Sequence, residues 1–211
     1  RREGGGGWWS PERGGRRHPQ QAEDEPPAED ESQQTGPGCA QRHVNSRDRT
    51  GTRRADAAIA RRLREWLADR ELGVLALWWP LPGEPDLRSE FETLQGLGWT
   101  IVLPRVAAPD APLVFGRWRP GIAMIEQRHK VCVPEPFEPM APTVMVAPCL
   151  GFDARGWRLG YGGGYYDRTL AALPVPAAGA AYDACEVSLE PEPHDRRLSA
   201  IVTESRLLRC R

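Results

Sequence analysis

Residues 143–170 read TVMVAPCLGFDARGWRLGYGGGYYDRTL. The opening TVMVAP is a short, uniformly apolar run closed by a proline, the pattern of a strand buried on both faces. The closing YYDRTLAA, residues 165–172, has helical composition. Between them lies a glycine loop, with Gly160, Gly162, Gly163 and Gly164 close together. Strand, loop, helix is the unit of an open α/β sheet, where ligands gather at the carboxyl ends of the strands. Glycines there let backbone N–H groups approach a polyphosphate. Arg158 can add a two-armed contact to phosphate oxygens, and Asp167 an oxygen for magnesium. The loop is not a P-loop, because no GK[ST] follows it, and it lacks the later acidic residue of a dinucleotide fingerprint. On its glycines alone it suits a flexible turn equally well.

The pattern extends outward on both sides. Residues 55–70, ADAAIARRLREWLADR, place Ile59, Leu63, Trp66 and Leu67 at helical spacing, and Gly73 stops that helix. GVLALWWP follows as a buried strand ended by Pro80. Residues 86–97 predict a second helix with Leu87, Phe91, Leu94 and Leu97 on one face, before the strand WTIVLP. PLVFGRW predicts another strand, and the proline-punctuated residues 120–142 a surface excursion. AGAAY near Ala178 and AIVTE near Ala200 predict the last two strands. Helices alternating with strands imply a three-layer α/β/α domain with a mostly parallel central sheet, spanning residues 56–211.

Residues 1–55 have a different composition, rich in Gly, Pro, Gln, Arg and acidic side chains, with hardly an aliphatic residue between Trp9 and Val44. Such a segment cannot offset its chain entropy by burial, so it reads as a disordered low-complexity tail or a mis-called N-terminus. The net charge of −1 argues against a general nucleic-acid or membrane-surface binder. Five scattered cysteines without a CxxC pair favour reduced thiols over a disulfide framework or zinc site. No apolar run approaches the ~18 residues of a membrane span. A cytoplasmic monomer is the expectation. Lys130 is the only lysine.

RLGYGGGYYDR (158–168), preceded by GFDARG (151–156), resembles the signature of the 5-formyltetrahydrofolate cyclo-ligase family. WWPLPGEPDLRS, GWTIVLPRV, LVFGRW, VPEP and PHDRRLSAIVTE resemble further blocks of that family in the same order, so the resemblance covers residues 56–206. It implies an ATP- and Mg²⁺-dependent enzyme that closes 5-formyltetrahydrofolate to 5,10-methenyltetrahydrofolate, releasing ADP and phosphate after phosphorylation of the formyl oxygen. Arg158, Leu159, Gly160, Tyr161, Gly162, Gly163, Gly164, Tyr165 and Tyr166 would then surround ATP, with Arg158 clamping the transferred phosphoryl group. Asp167 and Asp195 would serve magnesium. Trp79, Glu84, Trp118 and Tyr166 would contact the folate.

Each of these residues also has an ordinary structural use: Glu84 as a solvated turn residue, Trp79 and Trp118 as packing, Asp167 as a helix-start charge. The sequence departs from the family pattern in two places. Gly163 stands where many members have lysine. The opening family helix with its Lys and Arg is not legible before Asp56, where only Arg53 and Arg54 could substitute. That leaves an alternative: a non-catalytic or impaired folate- or nucleotide-binding homologue.

Overall fold

The computed structural model describes residues 49–127 and 130–210. Most of the expected tail therefore lies outside the described residues. Its last part does not: helix α1 spans Arg49–Leu67 and starts ahead of Asp56. Of the added turn RTGTRR only the arginines are good helix formers, Thr50, Gly51 and Thr52 are not, and none of the six joins the apolar stripe. Ile59, Leu63, Trp66 and Leu67 are buried as their spacing requires. Each such side chain contributes roughly 1.5–3 kcal/mol on burial.

Strand β1 is Val74–Ala76. The expected second helix is shorter than its apolar pattern: one 3₁₀ turn, Arg88–Glu90, enters α2, Phe91–Gly96. Leu87, Phe91 and Leu94 are buried, but Leu97 is 54% exposed. The helix has closed by then; Leu97 caps it through N–H bonds to the Thr93 and Leu94 carbonyls, and its side chain turns outward. β2 is Thr100–Arg105 and β3 is Val114–Arg117. The stretch expected to wander over the surface instead contains a two-stranded sheet, β4 (Ala123–Glu126) on β5 (Cys132–Glu135), with Val133 fully buried beneath it. Next come β6 (Val144–Pro148), the small hairpin β7 (Gly151–Phe152) and β8 (Arg158–Leu159), and α3 (Tyr165–Ala172). β9 is Ala177–Ala180 and β10 is Ala200–Val202. β10 is not last: β11, Leu207–Arg209, returns antiparallel along it.

The main sheet has the order β11-β10-β9-β6-β1-β2-β3. Its interior pairs are all parallel, and only the two edge pairs are antiparallel. Alternation along the strands separates two packed layers. Leu75, Ile101, Leu103, Val144 and Val146 meet α1 and α2. Ala76, Val102, Met145 and Ile201 face the other way, toward Leu170 of α3. Helices thus cover both faces. The parallel strands end together, and β1, β6 and β9 deliver Trp78–Trp79, Pro148–Cys149 and Ala181–Tyr182 to one edge.

Candidate active site

The glycine loop stands on that edge, and its shape begins in the β7–β8 hairpin. Asp153 Oδ1 accepts the N–H groups of Arg155 (2.9 Å) and Trp157 (3.1 Å), which closes the GFDARG turn. β8 then presents Arg158, whose side chain is only 5% exposed. Its Nη2 donates to Asp167 Oδ2 at 2.8 Å. The guanidinium lies 5.0 Å from the centre of the Tyr166 ring. Nη1 lies against Gly160, where a Cβ would meet it at 2.9 Å. Nε is buried without a hydrogen-bond partner among the described residues. Arginine carries five N–H donors, so the Asp167 contact leaves most of this one's capacity unused.

Gly164 begins α3 with φ +60°, a left-handed turn that suits glycine. It places Asp167 in the first turn, where the helix favours negative charge. Asp167 Oδ1 also accepts the Arg196 N–H at 3.1 Å, which brings the peptide after Asp195 against it. Asp195 itself caps a separate turn, its Oδ2 accepting the Glu192 N–H at 2.8 Å. Among the described residues no three His, Cys, Asp or Glu side chains form a cluster that could hold a metal ion. Tyr161 is 60% exposed at the loop's tip, and Leu159 is 36% exposed.

Glu84 arrives from the other side, after β1. The PLPGEP turn folds it inward: its N–H reaches the Leu81 carbonyl (3.1 Å), and its Oε2 accepts the Leu81 N–H (2.8 Å). It is 8% exposed, and burial pushes its carboxyl up to about 7, against the pull of the Leu81 N–H and the Trp78 indole. Burial raises the half-buried Tyr166 phenol, and the Glu84 charge raises it further. Cys149 is pushed up to about 12, chiefly by burial, which leaves an unreactive thiol.

Trp79 and Trp118 belong to a cavity of about 750 Å³, within the size range of small-molecule sites. Trp118 is held edge-on by Phe91, with centroids 5.1 Å apart and planes at 80°. The Arg88 guanidinium sits 5.0 Å over the Trp79 ring. Asp86 fixes that guanidinium through two contacts, Nε–Oδ1 at 2.8 Å and Nη2–Oδ2 at 2.6 Å. Arg53 and Asp56 of α1 and the exposed Glu92 of α2 also line it; Arg54 does not.

The model of the 5-formyltetrahydrofolate cyclo-ligase family matches residues 39–204. The chain belongs to the 5-formyltetrahydrofolate cyclo-ligase family. That match begins ahead of α1, inside the segment whose composition marked it as tail. A cyclo-ligase of Mycolicibacterium smegmatis is 32% identical over 161 residues, covering 70% of this chain and 82% of the relative. One of Escherichia coli K12 is 32% identical over 144 residues, covering 63% and 79%. The fold is shared with two solved 5,10-methenyltetrahydrofolate synthetases. The Aquifex aeolicus structure matches with a TM-score of 0.65 at 22% identity, over 81% of this chain and 87% of that one. The Mycoplasma pneumoniae structure gives 0.60 at 23% identity, over 74% and 88%. Membership makes the chain an enzyme of the ligase class acting on small molecules.

Against the family reading of the sequence, the structure brings Arg158, Tyr166 and Asp167 together directly and sets Glu84 close enough for its charge to reach Tyr166. Trp79 and Trp118 share a cavity whose lining includes none of those four residues. Sequence reasoning missed Asp56, Asp86 and Arg88 in that cavity. Asp86 and Arg88 lie within the block WWPLPGEPDLRS, which drew attention only to its aromatic and its glutamate. Asp56 did leave a signal: a carboxylate in step with Ile59, Leu63 and Trp66 on the stripe that α1 buries.

Proposed function

We propose that this cyclo-ligase-family chain converts 5-formyltetrahydrofolate and ATP to 5,10-methenyltetrahydrofolate, ADP and phosphate, as a cytoplasmic monomer. The observation that carries the reading is the buried Arg158 of the glycine-loop segment, anchored by Asp167 with donors to spare. A formamide oxygen leaves poorly. Its attack on the γ-phosphorus of ATP releases ADP and turns that oxygen into part of a good leaving group. The folate's own anilinic nitrogen then attacks the formyl carbon, phosphate departs, and the nitrogen loses its proton.

The chain's part is to position and to stabilise charge, because no side-chain nucleophile is needed. Arg158 balances the charge developing on the phosphoryl oxygens. Backbone N–H groups of residues 159–164 surround the polyphosphate. Tyr165 and Tyr166 close the loop against the folate, and Trp79 and Trp118 flank its rings. Glu84 contacts the formylated pterin and, with its carboxyl near 7, passes between charged and neutral forms around neutral pH.

Asp167 and Asp195 fit magnesium arriving with ATP. A carboxylate has about four lone-pair sites, so the two hydrogen bonds on Asp167 leave room, and the Arg196 N–H contact keeps the Asp195 loop beside it. When bound, magnesium would neutralise polyphosphate charge.

The oxygen route tests the reading. With the formyl oxygen labelled with ¹⁸O, the label is expected in the released inorganic phosphate. Label found in water, or turnover without ATP, would overturn the phosphorylation step. Folate binding without ADP release would support the non-catalytic alternative.

A further inference from the structure

Asp56 is a carboxylate held in place by two other parts of the fold. Its Oδ1 accepts the Tyr182 hydroxyl, which follows β9, at 2.7 Å, and the Asp86 N–H, which precedes α2, at 3.2 Å. No hydrogen bond reaches Oδ2 among the described residues, and no ion pair neutralises the side chain there. Its neighbour Asp86 is different: Arg88 occupies both of its oxygens. The cavity lined by Trp79, Trp118 and Phe91 therefore has one positioned carboxylate with unused acceptor capacity.

Tryptophan walls suit a flat heterocycle, and a carboxylate suits an edge made only of donors. The 2-amino-4-oxopyrimidine ring of a pterin has such an edge, because its 2-amino group and N3–H are adjacent donors. Adenine alternates donor and acceptor on the corresponding edge, so a carboxylate would repel half of it. A glutamate tail is anionic and finds no complement at Asp56. We infer that Asp56 reads the 2-amino/N3–H edge of the pterin, with Tyr182 as the positioning residue that aims it. The inference rests on the folate reading of the site and adds the residue that selects the pterin over adenine. A charge-assisted pair of this kind makes a difference of about 10- to 100-fold in affinity.

Quenching of tryptophan fluorescence in the full chain by 5-formyltetrahydrofolate, without ATP, reads this directly. Asp56→Asn is expected to weaken binding about 10- to 100-fold and to leave ATP binding unchanged. An analogue lacking the 2-amino group is expected to bind wild type weakly and to lose nothing further in Asp56→Asn. Tyr182→Phe is expected to weaken substrate binding while keeping the preference for the 2-amino group. Wild type that binds the analogue as tightly as the substrate would overturn the inference whether or not the variants fold. Wild type that binds no 5-formyltetrahydrofolate at all would overturn the parent reading and this one with it. A merely structural Asp56 would lower melting temperature in both variants without changing the substrate-to-analogue ratio, which also overturns it.

Discussion

At the residue scale, Glu84 concentrates the site's electrostatics in one group. Its ordinary value is 4.5, and burial pushes it to about 7. The folded protein therefore binds this proton more tightly than the unfolded chain does. The stability linked to it is fully present below about pH 4.5 and is lost as the pH rises through about 7, a change on the order of 3 kcal/mol. Glu84→Gln keeps the acceptor for the Leu81 N–H but cannot ionise. Urea midpoints are expected to show the variant gaining on wild type from pH 5 to pH 8; an offset constant across that range would contradict the burial. None of this was visible in PGEP, a stretch that by itself describes a solvated turn. The Leu81–Glu84 turn folds the carboxylate inward, and its charge reaches Tyr166 from a distant part of the chain.

At the element scale, α3 fixes the loop's geometry. Thr169 is fully buried, its hydroxyl donating to the Tyr165 carbonyl (2.6 Å) and accepting the Leu113 N–H (2.8 Å), so it ties the helix to the strand entry of β3. Thr169→Val removes the partner of a buried N–H and is expected to cost about 1–3 kcal/mol in chemical denaturation, with Thr169→Ser close to wild type. Equal stabilities for Val and Ser would show that the tie contributes nothing. α3 was legible to the residue, Tyr165–Ala172, because glycines precede it and its composition changes abruptly. The β4–β5 pair was not: its outer strand is largely exposed and lacks the alternation that marks a half-buried strand. β11 lacks the buried apolar run that marks β1 and β10, its three residues being half-buried to exposed, and Leu97 faces outward because apolar spacing outran the helix. The start of α1 was hidden because RTGTRR has no apolar stripe and half of it is Thr and Gly, weak helix formers.

At the scale of the whole molecule, the parallel order β10-β9-β6-β1-β2 gathers the site from separate stretches of chain onto one edge. Composition and alternation carried that architecture. The glycine loop's partners came from the resemblance to a family; Asp86 and Arg88 came from the packing of α1 and α2, and Asp56 from that packing together with its place on the buried stripe of α1. The proposed transfer between ATP and a folate would draw on two parts of this arrangement, the buried Arg158–Asp167 pair and the cavity lined by Trp79 and Trp118. The most direct test is turnover by the full purified chain, mixed with 5-formyltetrahydrofolate, ATP and Mg²⁺, and followed by the near-ultraviolet absorbance of 5,10-methenyltetrahydrofolate. The account predicts an absorbance rise that requires ATP and disappears in Asp167→Ala. A folded chain that binds 5-formyltetrahydrofolate yet forms no methenyl product with ATP present would contradict it.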